Sequence, residues 1–173
     1  MIVVMGAPYI HKLVWFYIRK LLFKDEILVI DCANRFDPFF ISKISLMEGK
    51  NPYEVLDRII IARAFTPFQL LKLIEKIPNF KNYPFVCLGI NYLFEDENIS
   101  TSYSWQVFKK VVNSIKSLKN LTILTAHKIN SKRNFLPYIE RKSRVFIEEK
   151  NIIKPKGVKG EVLWEGQLHL LAQ

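Results

Sequence analysis

The sequence predicts one α/β domain, residues 1–173, built on a mostly parallel sheet with helices on both faces and antiparallel strands near the C-terminus. Three observations carry that expectation. Several segments are continuously apolar, such as "EILVID" at 26–31 and "YPFVCLGIN" at 83–91. Such runs mark strands covered on both faces, as in parallel sheets. Strand-like and helix-like segments alternate, which is the pattern of βαβ units. A length of 173 residues suits one domain with a real core, and half of the residues are hydrophobic.

Each element can be justified in order. "IVVM" (2–5) is a short apolar strand that runs into a Gly-Ala-Pro turn. A helix follows from about 11 to 23, apolar nearly all round and so expected to be buried against the sheet. The strand 26–31 leads through "NRFDP" to helical stretches near 38–47 and 52–58, and "IIIAR" (59–63) is the next strand. "TPFQLLKLIEK" (66–76) begins like a helix: Thr66 caps, Pro67 suits the first turn, and Gln69 stands at the capping-box position. The strand 83–91 is followed by a polar loop, "FEDENISTSYS", and a helix over 105–118. "LTILTA" (121–126) is a strand, then comes a basic loop, then "RVFIEE" (144–149) and "GEVLWEGQLHLL" (160–171) as the late strands.

Charge narrows the classes of function. Lys and Arg total 26 against 16 acidic residues, a net charge of +10 that favours a polyanionic partner. A Lys-rich surface of the thermophile kind has the same balance. Cys32 and Cys87 lie in apolar strands and are expected as buried thiols in a reducing compartment, not as a disulfide or a metal site. The most apolar early run, "LVWFYI", is too short to span a bilayer and ends at Arg19 and Lys20. With no basic leader and no small-residue cleavage site at the N-terminus, a cytoplasmic protein is expected.

The stretch "GAPYIHKL" lies where a phosphate-binding loop lies, between a strand and a helix. Against G-x-x-x-x-G-K-[ST], Gly6 and Lys12 match. His11 stands at the second glycine, where a Cβ obstructs the curl of backbone around a phosphate. Leu13 replaces the hydroxyl that reaches Mg²⁺, and Pro8 removes a backbone donor. Two readings stand. In one, the stretch is an ordinary strand–turn–helix connection with Lys12 in solvent; in the other, an anion still rests at the helix N-terminus.

Four further segments complete a pattern. "VIDCANRFDPFFI" carries Asp31, Phe36 and Pro38, and "IIIARAFTPFQLLKLIEK" carries Ala62, Arg63, Ala64 and Gln69. "FVCLGINYLFEDE" has Leu93 to Asp96, and "LTILTAHKI" follows. In this order and spacing, residues 2 to about 150 resemble the RecA/RadA recombinase superfamily, including its KaiC-like members and recombinase paralogues. The resemblance implies a RecA-like P-loop-type core with a nucleotide site at Gly6, Lys12 and Asp31. It also shows what is missing. The Walker B aspartate falls on Gly89, the catalytic glutamate on Ala33 and the nucleotide-sensing glutamine on His127. Phosphoryl transfer depends on positioning and charge stabilisation, so neither ATP hydrolysis nor a cofactor is expected. Asp31 has a plainer reading, as a hydrogen-bonding strand end.

The family's second DNA loop corresponds to "HKINSKRNFLPYIERKSR" (127–144). Lys128, Lys132, Arg133, Arg141, Lys142 and Arg144 supply cations, with Phe135 and Tyr138 interleaved. Cations that track phosphates and rings that stack on bases are what single-strand binding needs. The alternative is a solvated loop whose aromatics fold back on the core. The first DNA loop is acidic, at Glu95, Asp96 and Glu97, and the sequence opens at its first strand without the helical domain through which many recombinases polymerise. The expectation is therefore a non-catalytic, pseudo-ATPase accessory of DNA recombination or repair. It would bind single-stranded DNA or a recombinase, or form a dimer, away from any membrane. A regulatory module that touches no DNA is the alternative, as is an atypical nucleotide-binding enzyme using Lys12, Asp31 and His11 or His127.

Overall fold

The computed structural model describes residues 1–7, 9–77, 83–127, 133–149 and 152–156. The chain runs β1 (Ile2–Gly6), α1 (Ile10–Tyr17), α2 (Arg19–Leu22), β2 (Ile27–Asp31), α3 (Pro38–Met47), α4 (Pro52–Asp57) and β3 (Ile59–Arg63). It continues through α5 (Pro67–Lys76), β4 (Phe85–Leu88), a 3₁₀ turn (Tyr92–Phe94), α6 (Thr101–Ser117) and β5 (Thr122–His127). The last elements are α7 (Leu136–Glu140), β6 (Arg144–Glu149) and β7 (Ile152–Pro155).

One sheet holds all seven described strands, in the order β3-β2-β4-β5-β1-β6-β7. β1 lies between β5 and β6 and is parallel to both, and β2 lies parallel between β3 and β4. β4 and β5 close the middle, also parallel. The expected α/β architecture is therefore present, with one correction. The segment 144–149, expected to be antiparallel, runs parallel to β1 with Ile2 opposite Arg144. An extended run has the same pattern in either direction; the crossover through α7 sets this one. Only β7 turns back, pairing antiparallel with β6. The expected strand at 160–171 lies outside the described residues.

The inner strands are buried along their whole length, as their unbroken apolar sequences require. Their side chains divide into two cores. Val3, Leu28, Ile30, Cys87 and Leu124 pack under α5, α6 and α7. Ile2, Val4, Ile27, Val29, Val86 and Ile123 pack under α1 to α4. Cys32 and Cys87 are buried free thiols with their sulfurs 3.7 Å apart. Hydrogen bonding to Cys87, then burial, raises the pKa of Cys32.

Three helices begin by one device. Asp37, Asn51 and Thr66 are extended N-caps whose side chains accept from the backbone N–H of Phe40, Tyr53 and Gln69, each followed by proline at the first helical position. Gln69 Oε1 accepts from Phe65 N, one residue earlier than a standard capping box. Two boundaries depart from the sequence reading. The first helix breaks at Ile18, and α6 starts at Thr101 because Ser100 caps it. Among the described residues no helix is long and apolar enough to cross a membrane.

Candidate nucleotide site and basic loop

The carboxyl ends of β1, β2, β4 and β5 meet at one rim of the sheet, where open α/β folds place their ligands. The turn after β1 delivers His11 and Lys12 on the first turn of α1. That turn is closed by its own backbone: Ile10 N donates to Ala7 O, while Lys12 N and Leu13 N both donate to Tyr9 O. These are the donors a phosphate cradle would present, and they are spent within the loop.

His11 points into the protein, only 1% exposed. Its Nδ1 lies 2.7 Å from Thr125 Oγ1, which also accepts from Gly89 N at 2.8 Å. Gly89 follows β4 with φ 68°, the left-handed region that glycine occupies without strain. A Cβ built on it would stand 2.5 Å from the Ala33 Cβ and 3.6 Å from His11 Cε1. Ala33 and the imidazole thus fill the space beside Gly89 that a side chain there would need. The departures at 11, 33 and 89 are a single packed arrangement.

Beside it, His127 ends β5 opposite Gly6 and lies tilted against the Tyr92 ring, centroids 4.5 Å apart. Asn91 clamps its backbone, with Nδ2 donating to His127 O and Oδ1 accepting from His127 N. The two imidazoles meet edge to face, centroids 6.2 Å apart. His11 Nε2 and His127 Nδ1 are buried without a hydrogen-bond partner among the described residues. Burial, then the charges of His127 and Arg35, holds His11 down to about 4 against the opposing pull of Asp31. Burial, then Arg35, also lowers His127. Both rings are neutral at pH 7 and offer a phosphate no charge.

The other expected site residues are engaged elsewhere. Lys12 pairs with Asp37 Oδ2 at 2.9 Å on the surface and lies 5.6 Å over the Phe40 ring. That hydrogen bond, with the backbone N–H of Phe40, lowers the pKa of Asp37. Asp31 is buried, and its oxygens accept from Ala33 N, Arg35 N and Phe36 N, with Arg63 Nε 3.7 Å away. This is the strand-end role, shaping the turn in which Asn34 takes φ 53°. Among the described residues no group of three or more His, Cys, Asp or Glu side chains is placed to hold a metal ion.

The basic loop divides. Lys128 and Lys132 lie outside the described residues. Arg133 does not face solvent as a phosphate contact: its guanidinium donates to the carbonyls of Phe94, Asp96 and Ile99 and to Ser104 Oγ, tying the acidic loop to the start of α6. Phe135 is not a stacking platform. It is 1% exposed and packs against Trp105 and Phe108, both at 4.6 Å, with Phe94 at 5.8 Å. Tyr138 is half-buried and donates its hydroxyl to Asn113 Oδ1, with Lys142 over its ring. Arg141 and Arg144 are exposed.

Asn91 and Thr125 were not picked out by the sequence reading. The available signal was a polar side chain in or against an apolar strand, where a buried hydrogen bond must satisfy it. No family model matches this chain. No curated protein matches it either.

Proposed function

We propose that the chain is a non-hydrolysing RecA-like domain that works by binding, as an accessory of DNA recombination or repair whose partner is single-stranded DNA or a recombinase. One observation supports the non-catalytic part above all: Gly89, with the Ala33 methyl 2.5 Å from where its Cβ would be. A carboxylate for Mg²⁺ has neither room nor backbone there. The closed first turn of α1 and two neutral histidines point the same way.

The DNA-binding part rests on the net charge of +10 and on exposed Arg141 and Arg144 at the end of the basic loop. Titration of a fluorescent single-stranded oligonucleotide across salt concentrations tests it. Arg141→Ala and Arg144→Ala should each reduce the log–log salt slope by about one if that residue contacts a phosphate. Unchanged affinity and slope in both variants contradict the DNA reading.

A second reading, a regulatory module that holds a partner protein without touching DNA, is favoured by a different observation. Arg133 and Phe135 are committed to the fold, which leaves fewer groups for a strand of DNA. Wild-type protein that retains no oligonucleotide at low salt, yet binds a RecA-like recombinase, supports it.

A further inference from the structure

The open edge of the sheet carries an inference that goes beyond this functional reading and does not depend on it. Among the described residues β3 pairs with β2 alone. Ile27 N donates to Arg58 O and Ala64 N donates to Asp31 O, so the even-numbered residues of β3 face β2. The N–H and C=O groups of Ile59, Ile61 and Arg63 therefore point outward as a ladder that no described strand uses. Natural edges are blunted by lysine, proline or a bulge. Here the stretch between Arg58 and Arg63 is Ile-Ile-Ile-Ala, with Ile60 and Ile61 exposed.

We infer that β3 joins β3 of a second copy of this chain, antiparallel about a two-fold axis at Ile60, so that two sheets become one. The local charges favour that occupant and that antiparallel orientation. Asp57 lies three residues before Ile60 and Arg63 three after it, both exposed. Pairing about Ile60 sets Ile59 opposite Ile61 as a hydrogen-bonded pair and brings the end of α4, where Asp57 stands, to the end of β3 in the other copy, where Arg63 lies exposed with its Nε 3.7 Å from Asp31. The contact is self-complementary, as a two-fold interface requires. Antiparallel pairing also brings the Phe65 end of each strand to α4 of the other, the helix that carries Tyr53 in its first turn. Phe65 is 70% exposed and Tyr53 79%. At about 150–250 Å² for a fully buried aromatic side chain, these two rings bring roughly 450–750 Å² to a dimer. A small stable interface buries about 1,200 Å², so the strands and isoleucines must supply the rest, and the dimer is of modest affinity.

Sedimentation velocity on the full chain, from sub-micromolar to hundreds of micromolar, tests this. Wild type should pass from monomer to dimer across that range. Ile61→Pro removes only an N–H that the monomer's own sheet does not use, a substitution edge strands tolerate. With two intermolecular hydrogen bonds lost per dimer, its dissociation constant should rise about thirty-fold. Asp57→Lys should weaken the dimer, while Glu54→Lys, the same charge change outside the register, should not. Ile60→Cys should cross-link to itself under mild oxidation by diamide, because residues facing each other across the axis lie about 4.5 Å apart at Cα. A chain monomeric at every concentration overturns the proposal, including one whose β3 takes up a foreign strand instead. So does a dimer that Ile61→Pro leaves as tight as wild type, since its interface must lie elsewhere.

Discussion

Gly89 takes φ 68° with the Ala33 methyl 2.5 Å from where its own Cβ would stand, while Gly49, at φ 66°, has nothing within 4 Å of the same position. The pair separates backbone strain from crowding. Gly49→Ala should cost about 1–2 kcal/mol, the strain alone. Gly89→Ala adds overpacking and should cost about 2–5 kcal/mol by urea unfolding. Ala33→Gly should restore part of the loss, a coupling that identifies the contact. His11 makes a second prediction at this scale. The unfolded chain binds its proton near pH 6.5, the folded protein only near about 4, so the unfolded state holds more protons in between. The stability from neutral His11 is present above pH 6.5 and is lost as the pH falls towards 4, about 3 kcal/mol in all. Urea midpoints measured across that window should fall steeply in wild type and less steeply in His11→Gln.

Arg133 and Phe135, ahead of α7, behave as part of the fold's interior. Trp105 and Phe108 of α6 close around Phe135, just ahead of α7, and Arg133 gathers the carbonyls of the acidic loop. Phe135→Ala should therefore cost about 3–5 kcal/mol of stability, read from thermal or urea unfolding. Arg133→Gln should open residues 95–100 to limited proteolysis, with cleavage there rising while global unfolding shifts less. Helix starts with a cap and a proline, at Asp37, Asn51 and Thr66, were legible in the sequence because the capping chemistry is local. The break at Ile18 was not, since neither the apolar run before it nor the pair Arg19 and Lys20 after it, both suited to a helix, marks where the hydrogen bonding shifts. Nor was the direction of Phe135, because whether an aromatic in a basic loop faces in or out depends on α6, distant in sequence.

At the scale of the molecule, an alternation of apolar strands and helices was enough to anticipate the mostly parallel sheet. The residues at 11, 33 and 89 were each legible singly in the sequence. Their interdependence was not, because it rests on a contact between Gly89, Ala33 and His11 that joins three separate segments. The most direct test of this account is isothermal titration of the full chain with ATP and Mg²⁺. The packed site predicts no binding heat above dilution and no hydrolysis above background. Micromolar, Mg²⁺-dependent binding that Lys12→Ala abolishes would contradict it.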